Sequence, residues 1–483
     1  MIKRKPSELL EEFGFDVDEK VREYESWWFE EGYKISYMVD RLGTPHLRMF
    51  DRFGNRIDEI LYPKEYWDML YKGYEYGIIA DVFEKNSLMP FFIMGYITSF
   101  FDPGLYCPYT VSLSTAVPIS KYAPKEVRDK YLPHMLKRNI DVWQGATWMT
   151  EVKGGSDLGN TVETVAELRN GKWILNGEKY FASNVGAELA VVAARIKGKQ
   201  KGVKSLALFL LPKYRENGEI NYFVRRLKDK IGTRSVPTGE VELRDSEAYL
   251  LGSEDVGIYL ILEVLNISRV ANSVGSVALM HRAIWEAYEF ASKRFAFGKY
   301  VIDHPLMKRQ IVDNYEKLKK AFALAFEAAK LLDKVYLEKP PYSHDYHMFR
   351  LLAHLSKFWT AELAVQTSKW AMEVNGGMGV LAEYPVERLL REAMILPIWE
   401  GTPHRQVLDA IEVIVKKDAH LFIYEYLREH DRLSEEILNI GREIKEMEND
   451  KREEVADIYI SELADIVAEI LLKKCRYSRE IAE

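Results

Sequence analysis

The chain has few features of a secreted or membrane protein. It contains only two cysteines, Cys107 and Cys475, without a Cys-x-x-Cys pair or a Cys/His cluster, which argues against a disulfide scaffold and predicts no metal site. No apolar run approaches the roughly 18 residues that a membrane-spanning helix needs. The first residues are basic and then acidic without an apolar stretch, so we predict no signal peptide and a cytoplasmic protein.

The chain also lacks a strong excess of charge of one sign. Its net charge is −7 over 483 residues, which gives no overall attraction to nucleic acid. Apolar residues make up 47% of the sequence, a fraction typical of globular proteins. The length exceeds what one simple core holds and predicts about two to four domains.

Two hydrophobic periodicities alternate along the chain and predict a multidomain α+β protein. Apolar residues recur at helical spacing through residues 1–143, which predicts an N-terminal helical domain. Residues 144–254 contain short strand-like runs and frequent turns, which predict a compact β-barrel or sandwich. Long amphipathic runs in residues 255–417 predict a C-terminal four-helix bundle, and residues 418–483 form a helical extension.

Asn-Gly pairs give the most specific local predictions in the β region. Asn170 and Gly171 separate two strand-like runs and predict a hairpin turn, and Asn176 and Gly177 repeat the signal. The runs that we predict as strands are residues 161–168, 173–175, 189–196, 206–211, 221–227 and 240–243.

Residues 373–402 combine a glycine-rich turn with an isolated carboxylate. Gly376 and Gly377 allow a backbone to approach a ligand more closely than side chains permit. Glu400 stands between Trp399 and Gly401 after an apolar run, where loss of water would raise its pKa and make it a useful base. From the residues alone, a structural turn is as good an interpretation as a cofactor site.

Three other stretches carry groups that suit a dinucleotide. Thr150 and the Gly155-Ser156 turn offer a hydroxyl and backbone amides for flavin carbonyls and a pyrophosphate, although a capped loop explains them equally. Phe181 and Ser183 end a predicted strand, where ordinary core packing is the alternative. Arg294 closes a long helix as a cation for a pyrophosphate or for the helix dipole.

Taken together, these stretches resemble the two signatures of the acyl-CoA dehydrogenase superfamily. The resemblance implies that Glu400 is the catalytic base and that Arg269 and Gly401 lie at the acyl-CoA site. It also implies FAD as cofactor, in contact with Met149, Thr150, Gly155, Ser156, Phe181, Ser183, Arg294, Phe297, Gly376, Gly377, Thr402 and His404. The sequence departs from the family pattern at Trp148, Asn266 and His404.

In the family this arrangement performs α,β-dehydrogenation of an acyl-CoA thioester, with hydride transfer to flavin N5. The resemblance further implies a homodimer or homotetramer, in which Arg294 and the Gly376 turn serve a neighbour's cofactor. It implies an electron acceptor such as an electron-transfer flavoprotein.

Several segments, among them residues 227–235, are similar to the AidB-type branch of the superfamily, which is linked to DNA protection against alkylation. In that branch a basic C-terminal region binds duplex DNA. Here residues 418–483 hold 18 acidic and 10 basic residues, which disfavours phosphate binding. We therefore predict a dehydrogenase, with an AidB-like DNA-associated flavoprotein as the alternative. A third possible function is nitroalkane oxidation, but its expected base is Asp, and the Glu at position 400 argues against it.

Overall fold

The structure is a computed structural model that describes residues 2–480, with side chains described as far as Cys475. It contains two compact units. Among the described residues, one unit consists of residues 2–25, 92–103 and 269–480, and the other of Ser26–Phe91 and Gly104–Ser268. The domain boundaries that we expect after residues 143, 254 and 417 remain predictions.

The chain begins with helices and one small hairpin. The helices are α1 (Pro6–Glu12), α2 (Glu19–Trp27), a π-helical turn (Trp28–Gly32), α3 (Tyr33–Leu42), α4 (Lys64–Glu75), α5 (Ala80–Glu84), α6 (Met89–Phe101), α7 (Pro103–Tyr122) and α8 (Lys125–Met135). Strands β1 (His46–Phe50) and β2 (Arg56–Leu61) pair in antiparallel register between α3 and α4. Our prediction of helix throughout residues 1–143 is wrong for this hairpin, because its turn at Gly54 has a φ of +84° that stops a helix.

The central region is a seven-stranded sheet that closes on itself. Its strands are β3 (Gly145–Trp148), β4 (Val165–Arg169), β5 (Lys172–Ser183), β6 (Leu189–Ile196), β7 (Leu206–Pro212), β8 (Phe223–Leu227) and β9 (Thr238–Leu251), with the short helices α9 (Leu158–Thr161) and Val203–Ser205 between them. The order is β3-β6-β4-β5-β9-β7, β8 pairs with β9, and a further pairing of β6 with β7 completes the ring. The predicted β-barrel is confirmed.

Of the two Asn-Gly pairs in the barrel, one forms a hairpin turn and the other lies within a strand. Asn170 and Gly171 form the turn between β4 and β5, where Arg169 pairs with Lys172, as predicted. Asn176 and Gly177 lie inside β5, so the second hairpin prediction is wrong. Gly177 has a φ of +152°, and the register with β9 shifts at this position, so the pair marks a β-bulge.

Two strands of the barrel, β6 and β7, are covered on both faces. Every residue of β6 and of β7 is buried, which explains their apolar sequences, interrupted only by Arg195 in β6. Within the same unit, one face of the sheet packs around Trp148 and Phe209, and the other packs on Leu260 and Val264 of the next helix.

Long helices dominate the region after the barrel, as predicted. They are α10 (Gly257–Lys293), α11 (Pro305–Val335), α12 (His344–Val374), α13 (Pro385–Ala393) and α14 (Pro403–Lys417). Strands β10 (Phe295–Ala296) and β11 (Lys299–Tyr300) and a 3-10 turn (Val301–Asp303) separate α10 from α11, and the 3-10 turn Gly376–Val380 follows α12. Helix α12 packs between α11 and α14.

The acidic extension is helical and packs on the bundle. It comprises α15 (Ala419–Leu427), α16 (Ser434–Glu446), α17 (Asn449–Glu454) and α18 (Ala456–Glu480). Helix α18 buries Ile460, Leu463 and Val467, and Lys320 of α11 pairs with Glu469 at 3.0 Å. Each helix within the described part of the chain is too short or too polar to span a bilayer.

Candidate active site

Glu400 lies in a tight turn between α13 and α14. Its φ is +58°, and the φ of Gly401 is +102°. A Cβ atom on Gly401 would lie 2.4 Å from Nε2 of Gln406, a distance that real contacts do not reach. The Trp-Glu-Gly sequence therefore has a geometric cause, because the residue after the carboxylate must have no side chain.

Two buried side chains fix the peptide that carries the Glu400 carboxylate. The Nε atom of Arg269 on α10 donates to the carbonyl oxygen of Glu400 at 3.2 Å. Nε2 of Gln406, on α14, donates to the same oxygen at 2.9 Å. Two helices thus hold this peptide, which limits the positions that the carboxylate can take.

Lys357 on α12 holds the same turn from a third direction. Its ammonium group donates to the carbonyl oxygens of Pro397 at 2.8 Å and Gly401 at 2.6 Å. The side chain is buried, and burial lowers the pKa of Lys357 to about 7. Our sequence analysis missed this residue, although a lysine within the apolar first half of α12 was a visible signal.

The electrostatic environment of Glu400 has two opposing parts. Burial removes water from the carboxylate and raises the pKa of Glu400 above its ordinary value. The charges of Arg269 and Lys357 act in the opposite sense. Burial also lowers the pKa of Arg269 to about 10, and its Nη2 atom lies 3.3 Å from Oδ2 of Asp409. The pKa of the Glu400 carboxyl is therefore raised by burial, while the charges of Arg269 and Lys357 favour its ionised form.

A second layer of side chains orients the groups around Glu400. Nδ1 of His354 lies 3.0 Å from Oε1 of Gln406, and burial holds the pKa of His354 well below its usual range. His354 is thus a neutral partner that fixes the amide of Gln406. The indole N–H of Trp399 donates to Oδ1 of Asn272. Neither His354 nor Asn272 carried a signal in the sequence, because their roles depend on tertiary contacts.

Two of the predicted cofactor residues follow Glu400 directly. Thr402 is the N-cap of α14, and Pro403 occupies the first turn, as is usual at helix starts. His404 is exposed beside it. The N-terminus of a 15-residue helix presents backbone N–H groups and partial positive charge, which suits a phosphate.

Arg294 and Phe297 lie at the opposite end of α10 from Arg269. Phe297 is 96% exposed and occupies the turn of the β10–β11 hairpin with a φ of +52°. Because a helix rises about 1.5 Å per residue, Arg294 lies about 37 Å along the axis from Arg269. The structure therefore does not bring Arg294 together with Glu400 of the same chain.

The Gly376 turn belongs to this distant end as well. Gly376 has a φ of +59°, and no atom lies within 4 Å of a Cβ built on Gly376 or on Gly377. The turn is about 28 Å along α12 from Lys357. The rings of Phe290 on α10 and Tyr384, just past the turn, lie 6.5 Å apart, which places both helix ends near each other.

In the barrel unit, a buried ion pair shapes the segment of Met149 and Thr150. The ammonium group of Lys179 lies 2.7 Å from Oε1 of Glu151 and donates to the carbonyl oxygen of Ala193 at 2.8 Å. Both charged side chains are almost fully buried. The pair fixes the chain directly after β3, so that Thr150 has a defined position.

Gly155 and Ser156 turn the chain next to Thr150. A Cβ atom on Gly155 would lie 2.3 Å from Oγ1 of Thr150, so this glycine permits a close approach. Ser156 is exposed. The structure thus brings Thr150, Gly155 and Ser156 together, as the sequence predicted for a phosphate-binding turn.

Phe181 and Ser183 form the exposed end of β5. Phe181 is 51% exposed, an unusual position for an aromatic residue on a barrel strand. Oγ of Ser183 lies 3.2 Å from Oγ1 of Thr238 on β9. Trp148, which departs from the family pattern, is buried against Tyr222 and donates its indole N–H to the carbonyl oxygen of Ser183 at 3.0 Å.

These groups fit FAD by their chemistry. An aromatic ring left half-exposed at Phe181 suits stacking on a flavin, and the hydroxyls of Thr150 and Ser183 suit its polar edge. The open backbone at Gly376 and Gly377 suits the close approach of a dinucleotide.

Three models of known protein domains match most of the chain. A model of the acyl-CoA dehydrogenase C-terminal domain matches residues 255–414, and a model of the acyl-CoA dehydrogenase middle domain matches residues 146–246. A model of the adaptive response protein AidB N-terminal domain matches residues 37–142. The resemblance that we identified from the sequence is confirmed.

Two curated proteins are similar over most of their length. The chain is 30% identical over 417 residues to acyl-CoA dehydrogenase family member 11 of Caenorhabditis elegans. The matched region covers 81% of this chain and 67% of that protein. It is 28% identical over 406 residues to the putative acyl-CoA dehydrogenase AidB of Escherichia coli, with coverage of 80% and 72%.

Solved structures show the same fold. Caenorhabditis elegans ACDH-11 in complex with C11-CoA has a TM-score of 0.85 and 26% identity, and covers 98% of this chain and 86% of its own. An acyl-CoA dehydrogenase from Bacillus anthracis complexed with FAD has a TM-score of 0.77 and 19% identity, with coverage of 99% and 82%. The chain therefore belongs to the acyl-CoA dehydrogenase family, and it is a flavin-dependent oxidoreductase that uses FAD.

Proposed function

We propose that this chain dehydrogenates an acyl-CoA thioester between its α and β carbons, with Glu400 as the α-proton base. The observation that supports this role is the Glu400 turn, in which Arg269 and Gln406 hold the peptide and burial raises the carboxylate pKa. A base is most effective when its pKa approaches the working pH, and burial moves Glu400 in that direction.

The reaction breaks two C–H bonds and forms one C=C bond. The Glu400 carboxylate takes the α hydrogen as a proton, which leaves the electron pair on the α carbon. FAD supplies hydride acceptance at the β carbon when it is bound. We assign polarisation of the thioester carbonyl to the backbone N–H of Glu400, which lies one peptide before the carbonyl group that Arg269 and Gln406 hold.

We assign FAD to the two sets of residues described above. Thr150, Gly155 and Ser156 would bind its polar groups, and Phe181 would stack on the flavin ring. Arg294 would neutralise a pyrophosphate charge.

The separation along α10 supports a homo-oligomer as the working form. Arg294 lies about 37 Å from Arg269, whose Nε atom donates to Glu400, so an Arg294 that serves FAD would serve the FAD of a second copy. We therefore propose a dimer or tetramer, with a monomer in light scattering as the contrary result. For reoxidation we propose an electron acceptor of the electron-transfer flavoprotein type.

The test of the base is Glu400→Gln, which keeps the size and removes the carboxylate. We expect bound FAD to remain and anaerobic flavin reduction by acyl-CoA to slow by about 10²–10⁴-fold, the usual contribution of a general base. A panel of straight, branched and aryl thioesters identifies the substrate class, because the name of one relative's ligand, C11-CoA, describes only that protein.

Glu425→Gln is the matched control, since Glu425 is an exposed glutamate on α15 that pairs with Arg428. It should reduce flavin at the wild-type rate. If Glu400→Gln also reduces flavin at that rate, Glu400 is not the base.

A second candidate function is a DNA-associated flavoprotein like AidB. The observation in its favour is the match of residues 37–142 to the AidB N-terminal domain model. Against it, the helical extension is acidic, and duplex binding requires clustered cations. A salt-dependent titration with duplex DNA tests it, and tight, salt-sensitive binding without flavin reduction by any thioester would support this second function.

A further inference from the structure

A groove at the edge of the barrel has no part in the proposed dehydrogenation. It lies between the start of β1 and the segment that joins β8 to β9, and its volume is about 460 Å³. Small-molecule sites range over about 300–1,000 Å³, so the groove is of ligand size. The joining segment is the same run of residues, 227–235, that is similar to the AidB-type branch.

The wall of this groove is cationic. Among the described residues that line it, five are basic and one is acidic: Arg225, Arg226, Lys228, Lys230, Arg234 and Asp229. The carboxylates that pair with several of these cations belong to Glu178, Glu240 and Glu242 on β5 and β9, which do not line the groove. The charged ends of Arg225, Arg226 and Lys228 therefore lie against these carboxylates, which neutralise part of the positive charge beside the groove.

The arginines keep donors available for a ligand. Side-chain exposure is 43% for Arg225, 60% for Arg226 and 42% for Arg234. Arg226 uses Nε and Nη2 on Glu240, while a guanidinium group has five N–H donors in all. Exposed ion pairs are weak, about 0–1 kcal/mol, so an incoming anion competes with them easily.

The two lysines are held in place before any ligand arrives. Lys228 pairs with Glu240 at 2.8 Å, and its ammonium group lies 3.3 Å from the ring centre of Tyr180. Lys230 donates to the carbonyl oxygen of Val236 at 2.9 Å and to Oγ1 of Thr238 at 3.0 Å. A preorganised set of donors loses little entropy on binding.

We propose that this groove binds a compact phosphate-bearing anion, such as the diphosphate of a nucleotide. Guanidinium groups match phosphate oxygens with paired hydrogen bonds, and three of them line one small volume. A nucleic acid fits less well, because Glu178, Glu240 and Glu242 flank the cations and would repel an extended chain of phosphates. The ammonium group of Lys228 also lies 4.7 Å from the ring centre of Phe181, so the groove adjoins the proposed flavin site, but the inference does not require dehydrogenase activity.

Isothermal titration of the full-length FAD-loaded protein with inorganic pyrophosphate and with ADP tests the proposal. The variant is Arg226→Gln/Arg234→Gln, which removes two exposed cations of the groove. We expect pyrophosphate to bind the wild-type protein and to bind the variant at least about tenfold more weakly. The control is Arg244→Gln, an exposed arginine on β9 that pairs with Glu242 outside the groove and should bind like wild type.

Two further arms identify the source of the phosphate. If ADP binds and CoA does not displace it, the ligand is a free nucleotide, and if CoA displaces it, the ligand is the diphosphate of CoA; both results support the proposal. The proposal is overturned if neither pyrophosphate nor ADP binds, or if the wild type and the double variant bind them equally. It is also overturned if the wild type binds duplex DNA but not pyrophosphate, and the double variant loses the DNA binding.

Discussion

Gly401 allows the sharp turn that presents the Glu400 carboxylate. Substitution with alanine adds a Cβ atom at a φ of +102° and 2.4 Å from Nε2 of Gln406. We expect Gly401→Ala to lower the free energy of unfolding by about 1–3 kcal/mol and to slow flavin reduction, because Gln406 must leave the carbonyl oxygen of Glu400. Chemical denaturation and anaerobic flavin reduction measure the two effects.

Gly198 offers a matched control for this substitution. Its φ of +86° is also positive, but nothing lies within 4 Å of the added Cβ atom. Gly198→Ala should therefore cost only the backbone strain and leave flavin reduction unchanged. Equal effects of both substitutions on flavin reduction would show that the contact with Gln406 has no role.

Lys357 links the stability of the protein to pH. Burial lowers its pKa to about 7, whereas a lysine in the unfolded chain has a pKa of about 10.4. Between these values the unfolded state binds more protons at this residue, so the free energy of unfolding rises with pH. The slope from this one residue approaches about 1.4 kcal/mol per pH unit and disappears in Lys357→Met.

Urea denaturation at several pH values from about 7 to about 10 measures this slope. Lys369→Met is the control, because Lys369 is an exposed lysine of the same helix, and its slope should match wild type. If Lys357→Met keeps the wild-type slope, the pKa of Lys357 is not lowered in the folded protein.

At the residue scale, the sequence singled out Glu400, Gly401 and Arg269 but not the other side chains that hold the Glu400 turn. The Trp-Glu-Gly turn is local, so its signal lies in consecutive residues. Lys357 and Gln406 contact the turn directly, and His354 contacts Gln406. These contacts depend on how the helices pack, which a single sequence does not reveal.

At the element scale, the segment after β3 depends on one buried ion pair. Lys179→Met would leave the Glu151 carboxylate buried without its cation, and breaking such a pair costs about 3–5 kcal/mol. We expect a lower midpoint of unfolding and weaker retention of FAD, because Met149 and Thr150 lie directly before Glu151. Denaturation and the bound flavin absorbance measure these results.

Lys172 on the same strand gives the comparison. It pairs with Glu247 at 3.0 Å with both side chains partly exposed, so Lys172→Met should change stability and FAD retention little. If Lys179→Met behaves in the same way, the buried pair does not position the segment.

The elements themselves could be predicted to different degrees. Strand β6 agrees with its predicted bounds because both of its faces are buried and residues 189–194 are all apolar. The long helices were also predicted closely, since amphipathic periodicity over many residues is a strong signal. The β1–β2 hairpin was missed because its strands are short and β1 is mostly exposed, and the register shift at Gly177 depends on pairing with β9.

At the scale of the whole molecule, the position of the acidic extension depends on its apolar packing as well as on its charge. The acidic extension was predicted to be helical, and the structure shows that α18 buries apolar residues against the bundle while Lys320 and Glu327 of α11 pair with residues of α18. Its negative charge was visible in the sequence, but the surface that it covers was not. A local charge count gives no information on which helices are neighbours.

The length of α10 has a genetic consequence if each site draws on two copies. A chain with Glu400→Gln still supplies Arg294, and a chain with Arg294→Ala still supplies Glu400, so each defective copy holds what the other lacks. Mixed oligomers of the two inactive variants should regain flavin reduction, whereas each variant alone should not. Absence of such complementation after subunit exchange would mean that Arg294 serves no neighbouring site.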